Sequence, residues 1–455
     1  MSYLSIQKQQ TQYFNQNITR DYQWRKQQLL QIKKLIADNE SAIIHALKND
    51  LHKPVQEAWL TEISYVSKDV DHVLKHLKSW MKPSKVSTPI VAQPGRSFIQ
   101  PEPLGSVLII GAWNYPFQLI FAPLVAVIAA GNCALLKPSE LAPNVSALIA
   151  QLVPKYLDNN AFAVVEGAVN ETTELLTLAW DHIMYTGNGT VARIVMAAAA
   201  KHLTPVTLEL GGKSPVYIDT SADLTITAER IAWGKWMNAG QTCIAPDYIM
   251  VEKELLEPLL EQLKQQIHTM FGDDPQQSDS YGRIVNHRHT ERIASYLEKQ
   301  NIAHGGRIDL NDKYIEPTII VESKLDSKIM TEEIFGPLLP IIVVDDYQQA
   351  KRYVLSNDKP LAAYLFTKDS EQQQDWINTI AAGSQCINDV MMFNAVPDLP
   401  FGGTGSSGMG QYSGYSGFTN FSHMKAVLKR PFLKDLPLRF APYSDFKLSL
   451  LRKIR

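Results

Sequence analysis

From residue 105 onward, short and wholly apolar runs alternate with longer segments whose apolar positions recur at helical spacing. The runs at 106–110, 134–137, 163–166 and 182–185 lack polar alternation, the pattern of strands buried on both faces. Segments 117–130, 142–157 and 190–202 read as helices. A second series follows: strand 216–218, helix 222–237, strand 248–251, helix 253–271, and more in kind to about residue 388. Such alternation predicts parallel sheets with helical crossovers, here two α/β domains. Two long helices, 21–50 and 57–80, precede both. Residues 82–94, rich in Pro, Ser and Thr, predict a boundary or an extended ribbon. Residues 399–417 form a Gly/Ser stretch that suits a flexible linker, although its Pro400-Phe401-Gly402-Gly403 fits a tight functional turn better.

Composition narrows the class. A chain of 455 residues has room for two or three domains and a sizeable core. A net charge of -2 carries no electrostatic footprint for nucleic acid. Cys133, Cys243 and Cys386 are distant and odd in number, so a reducing compartment is expected rather than a disulfide framework. No zinc-type Cys/His spacing occurs. Residues 1–20 are polar and Gln-rich, without the apolar core of a signal peptide. The longest apolar stretch, 119–130, is well short of the roughly 20 residues that cross a bilayer. A soluble, cytoplasmic protein is the expectation.

Three residues carry candidate chemistry. Cys243 lies in Asn238-Ala239-Gly240-Gln241-Thr242-Cys243, between polar residues and the turn Ala245-Pro246-Asp247. A free cysteine is more often a small buried hydrophobe than a nucleophile, yet this one is outside any apolar run. Cys133 and Cys386, beside apolar residues, read as structural. Glu209 ends an apolar run before Gly211-Gly212, either as a surface cap or ion-pair partner, or as a general base with a raised pKa. Asn114, in Trp113-Asn114-Tyr115-Pro116, follows a strand. Its amide can stabilise an oxyanion or cap the next helix.

Other turns suit a dinucleotide. Strand, Thr186-Gly187-Asn188-Gly189, then helix is an arrangement whose backbone amides favour a pyrophosphate, though it is not GxGxxG. Lys137 and Glu140 in Lys137-Pro138-Ser139-Glu140 can hold ribose hydroxyls, or form an ordinary solvated turn. Glu333 and Phe335, in Glu332-Glu333-Ile334-Phe335-Gly336-Pro337, set a carboxylate beside a ring or form a plain turn.

These segments together resemble the NAD(P)-dependent aldehyde dehydrogenases. WNYP at 113–116, KPSE at 137–140, LELGGKSP at 208–215, GQTC at 240–243, EEIFGP at 332–337 and PFGG at 400–403 stand in family order. AAAAKHLTPVTLELGGKSP and NAGQTCIAPDYI resemble the class 3 branch, which includes the fatty aldehyde dehydrogenases. The resemblance implies an α/β aldehyde dehydrogenase fold: a Rossmann-like NAD(P)-binding domain over 1–82 and 104–208, a catalytic domain over 209–421, and bridging or oligomerisation segments over 83–103 and 422–455. It implies Cys243 as nucleophile, Asn114 with the Cys243 amide as oxyanion hole, and Glu209 as the base for thioester hydrolysis. NAD, or NADP, would be held by Lys137, Glu140, Gly187, Glu333 and Phe335, with Trp113 beside them. Ala192 departs from the family's second glycine. Tyr65, Tyr115, Trp233, Met237 and Phe401 match funnel positions, so an apolar aldehyde is expected: long-chain, aromatic or terpenoid. They suit core packing equally.

A homodimer is expected by resemblance. The tail 430–455 mixes apolar and basic residues, suiting a solvated or dimer-docking segment, or weak peripheral contact with anionic lipid. Competing readings are a CoA-acylating aldehyde dehydrogenase, a non-catalytic NAD-binding or structural protein, and a cysteine protease, for which no histidine sits in a matching motif.

Overall fold

The computed structural model describes residues 2–321 and 324–453. Its first sheet has six strands in the order Gly408–Met409, Val206–Glu209, His182–Thr186, Ser106–Ile110, Cys133–Lys137, Phe162–Val164. All neighbours are parallel except the edge pair of Gly408–Met409 with Val206–Glu209. The apolar runs are explained by two cores on opposite faces. Val107, Ile109, Ala134 and Leu136 enter one; Leu108, Ile110 and Leu135 enter the other. A period of two with both phases buried leaves no polar position.

Helices cover both faces. Gln118–Ala130 is buried throughout, with Pro123 inside it. Tyr22–Leu51 packs on Pro143–Tyr156, and Ser64–Trp80 on Gln118–Ala130. The Gln-rich start is also ordered, as helix Tyr3–Asn15. Buried Gln10 explains its docking: its Nε2 donates to the Ala134 carbonyl at 2.8 Å, and its Oε1 accepts from Ser106 Oγ at 2.7 Å.

The second sheet has seven strands in the order Asn301–His304, Thr318–Val321, Leu338–Val344, Tyr248–Glu252, Pro215–Ile218, Ala362–Phe366, Ser384–Ile387. Only Asn301–His304 is antiparallel. A third sheet joins Ser84–Val86, Arg96–Pro103 and Ser422–Lys429, all antiparallel. The proline-rich ribbon is thus partly a strand. The long pairing of Arg96–Pro103 with Ser422–Lys429 joins segments more than 300 residues apart, which local pattern does not reveal.

The stretch 399–417 is not a linker. Phe401 and Tyr412 form a two-way backbone bridge. Gly408–Met409 then returns the chain to the edge of the first sheet, and Gly414–Asn420 is a helix. Among the described residues, no helix is long and apolar enough to cross a membrane.

Candidate active site

The strands of the first sheet deliver their residues at one edge. Ser106–Ile110 leads to Trp113 and Asn114, Cys133–Lys137 ends on Lys137, His182–Thr186 ends before Gly187, and Val206–Glu209 ends on Glu209. These are carboxyl ends, and the chain order reverses between Ser106–Ile110 and His182–Thr186, where open α/β sheets bind ligands. The second sheet contributes from the opposite ends of its strands. Cys243 precedes Tyr248–Glu252, and 332–337 precedes Leu338–Val344.

Hydrogen bonds join the two contributions. Asn114 Nδ2 donates to the Gln241 carbonyl at 3.1 Å, and the Tyr115 and Thr242 hydroxyls meet at 2.6 Å. The Gly212 amide donates to Glu333 Oε1 at 3.1 Å. Before Cys243 the chain turns sharply. Helix Leu224–Trp236 stops, and Asn238 and Ala239 take left-handed φ values of 53° and 51°. Such values are uncommon for non-glycine residues and need support. Gln241 gives it: buried, it donates to the Asn238 and Arg283 carbonyls and accepts from the Val285 amide at 2.9 Å.

Cys243 is half-buried and free. Burial first, then the Glu333 and Glu209 carboxylates, push its thiol well above the usual thiol range. The Glu209 side chain is buried, and neither carboxylate oxygen has a hydrogen-bond partner among the described residues. Burial holds its pKa well above the carboxylate range. A surface cap or an ion pair is therefore excluded for Glu209. Asn114 is not a helix cap either. Glu62 Oε2 performs that task, accepting from the Phe117 and Gln118 amides at 3.0 and 2.9 Å. The Asn114 amide thus spends one N–H on Gln241 and keeps the other.

The residues expected to hold a dinucleotide lie at the ends of these strands. Lys137 is 2% exposed, so its turn is not a solvated one. Its ammonium donates to the Pro138 carbonyl at 2.8 Å and reaches Glu140 only at 3.5 Å, leaving donor capacity beside an exposed carboxylate. Burial lowers its pKa. Asn188 caps helix Gly189–Ala200 through the Val191 amide, and its open first turn suits a phosphate. A Cβ at Gly187 would lie 2.3 Å from the Tyr185 hydroxyl, so a larger residue there would have to displace that ring. Ala192 is buried on that helix without disrupting it. At Gly211 a Cβ would come 2.2 Å from Glu333, whose carboxyl is pushed up to about 7, chiefly by burial. Phe335, with φ of 48°, meets Trp113 edge-on at 5.3 Å. On these observations the residues fit NAD or NADP. Among the described residues no cluster suits a metal ion.

Apolar and aromatic side chains adjoin. Phe401 packs against Phe393 and Tyr412, with centroids 6.5 and 5.7 Å away. The Tyr65 hydroxyl donates to Asn394 Oδ1 at 3.1 Å. Met237 ends the helix that carries half-buried Trp233, and both join the same core. Sequence reasoning missed Tyr412, whose hydroxyl feels Tyr65, Glu209 and Cys243 together. It also missed Lys213, paired with Asp247 and donating to the Ile329 and Glu332 carbonyls. Asp247 accepts from the Ile334 amide, so the pair fixes the turn that carries Glu333 and Phe335. The LELGGKSP motif contained that signal in its lysine.

With this geometry, the chain belongs to the aldehyde dehydrogenase family, whose profile matches residues 9–427. It is a class 3 aldehyde dehydrogenase by its relatives. It is 45% identical to aldehyde dehydrogenase family 3 member H1 of Arabidopsis thaliana, over 97% of this chain and 92% of that one. It is 45% identical to the dimeric NADP-preferring aldehyde dehydrogenase of Rattus norvegicus, over 93% of each. The substrate-bound state of Staphylococcus aureus AldH superposes with a TM-score of 0.97 at 42% identity, covering 100% of this chain and 99% of that one.

Proposed function

We propose that the protein oxidises apolar aldehydes to carboxylic acids with Cys243 as nucleophile, Asn114 as oxyanion donor and Glu209 as base. The observation that carries this is a buried carboxylate with no hydrogen-bond partner among the described residues, sharing a site with a free thiol and a half-engaged amide. Cys243 gives its proton to solvent water, and its sulfur bonds to the aldehyde carbon as the carbonyl π bond opens onto oxygen. The carbonyl oxygen becomes an oxyanion, met by the spare Asn114 N–H and the Cys243 backbone amide. NAD or NADP, when bound, supplies the acceptor for the hydride that the carbon gives up. Glu209 takes a proton from water, whose oxygen adds to the thioester carbon. The C–S bond breaks, releasing the acid and the thiolate.

Lys137, Glu140, Gly187, Glu333, Phe335 and Trp113 are the residues proposed to hold the dinucleotide. Exposed Glu140 can accept from a free ribose 2′-hydroxyl, and beside Lys137 it has room to turn away from a 2′-phosphate. Use of both cofactors is therefore expected. Tyr65, Tyr115, Trp233, Met237 and Phe401 would form an apolar aromatic funnel, which supports long-chain, aromatic or terpenoid aldehydes over small polar ones.

The test is steady-state NADH and NADPH formation with aldehydes from acetaldehyde to long-chain, benzylic and terpenoid ones, beside Cys243→Ala. The expected outcome is kcat/KM rising with apolar length and no turnover in Cys243→Ala. Activity confined to small polar aldehydes would remove the funnel, and turnover that requires CoA would move the protein to the acylating class.

A homodimer is proposed from the rat and dog relatives that are named dimeric. Exposed Phe432, Leu433, Leu436 and Phe440 give the tail an apolar surface for a second copy. Weak contact with anionic lipid is the second reading, favoured by exposed Phe446 beside Lys447, Arg452 and Lys453. Unchanged co-sedimentation with phosphatidylserine liposomes after deletion of 446–455 would reject it. Ile454 and Arg455 lie outside the described residues.

A further inference from the structure

Lys53 and Glu62 form a fully buried ion pair, Nζ to Oε1 2.5 Å. Such a pair is weak evidence for stability, since apolar side chains of similar volume often serve a fold as well. Its contacts point elsewhere. Lys53 Nζ also donates to the Asn114 carbonyl at 3.1 Å and stands 4.1 Å from the centroid of the Tyr115 ring. Glu62 Oε2 takes the Phe117 and Gln118 amides. The pair therefore grips residues 114–118 at both ends.

The same stretch of chain grips the other wall. Glu57 Oε2 accepts from the Asn238 amide at 2.9 Å, at the start of the left-handed turn into Cys243. Asn238 Nδ2 donates to the Asn114 carbonyl at 2.9 Å and to the Gln241 carbonyl at 3.2 Å. The Asn114 carbonyl thus receives Lys53 from one side and Asn238 from the other. The backbone at Trp59–Ile63 is a π turn between helices Val55–Ala58 and Ser64–Trp80. Such turns recur at functional sites, where the extra residue re-aims side chains. Here it carries Glu62, and it directly follows the helix that carries Glu57, which accepts from the turn into Cys243.

We propose that residues 53–62 are a positioning strut in which Lys53–Glu62 and Glu57 fix Asn114 against the Gln241–Cys243 turn. This rests on the reading of Asn114 and Cys243 given above. The strut touches neither substrate nor cofactor. Its effect is on the alignment of the oxyanion donor with the sulfur, and misalignment of about 1 Å can lower turnover about a hundredfold.

Lys53→Met alone strands a buried carboxylate and can fail to fold, so the decisive variants are Lys53→Met/Glu62→Gln and Glu57→Leu in the full chain. The double variant has no unpaired charge and keeps an acceptor for Phe117 and Gln118. Expected are thermal melts and NADH binding, read by fluorescence, close to wild type. With a long-chain aldehyde, kcat falls ten- to a hundredfold in the double variant and about tenfold in Glu57→Leu, while KM changes less than threefold. Wild-type kcat in either folded variant overturns the proposal, as does a loss that only tracks the unfolded fraction. Retained turnover in Cys243→Ala would instead overturn the reading on which it rests.

Discussion

At the scale of single residues, the site stores carboxyl groups away from water. Glu209 has no hydrogen-bond partner among the described residues, and burial raises its pKa, which favours the protonated, non-basic form. Hydrolysis of the thioester should therefore speed up with pH, as a pH–rate profile of kcat would show, and Glu209→Gln should flatten the profile at a rate at least a hundredfold lower. The Cys243 thiol is pushed up in part by Glu333 and Glu209. Removing a negative neighbour lowers a thiol pKa. Glu333→Gln should accordingly accelerate alkylation of Cys243 by iodoacetamide at pH 9 by about two- to fivefold. Cys243, Glu209 and Asn114 were singled out as candidates from a thiol outside an apolar run, a carboxylate at a strand end and an amide after a strand, and their roles came from the resemblance. Lys53 and Tyr412 were not. A lysine after a helix and a tyrosine in a Gly/Ser stretch look like surface residues until distant segments bury them.

At the scale of elements, periodicity located the central strands and helices of the first sheet and two strands of the second, 216–218 and 248–251, but set no bounds for the other five. The pattern reads 117–130 as a helix and the structure has Gln118–Ala130; it reads 182–185 as a strand and the structure has His182–Thr186. Misread elements had their stabilising partners far along the chain. Tyr3–Asn15 depends on Gln10, whose polar side chain feeds a sheet rather than water. Gly408–Met409 is two residues long and exists by pairing with Leu208 and Glu209. Gly408 has φ of 144°, and a Cβ there would lie 2.2 Å from the Leu208 carbonyl oxygen. Gly408→Ala should therefore detach that edge. A loss of roughly 2 kcal/mol or more is expected in a urea melt, with turnover falling further than stability because Glu209 is the neighbour displaced.

At the scale of the whole molecule, buried carboxyls give stability a pH dependence of definite sign. Burial pushes the Asp69 carboxyl up to about 7, against a help from the Gly414 amide, and raises Glu209 as well. A folded-state pKa above the unfolded one contributes stability below the unfolded value, near pH 4, and loses it as pH rises through the folded value. The melting temperature should thus fall between pH 6 and pH 8, and Asp69→Asn should make that fall smaller in differential scanning fluorimetry. The proposed dimer predicts a light-scattering mass of twice 51.1 kDa. Assembly was expected only through resemblance. The bridge between Phe401 and Tyr412 and the pairing of Gly408 with Glu209 also bear on timing. A ribosome delivers Gly408 about 200 positions after Glu209, with which it pairs. Until then Glu209 stands on an open sheet edge and the thiol at Cys243 lacks its finished surroundings. A chain interrupted before that point lacks the strand that borders Glu209 and should show no turnover.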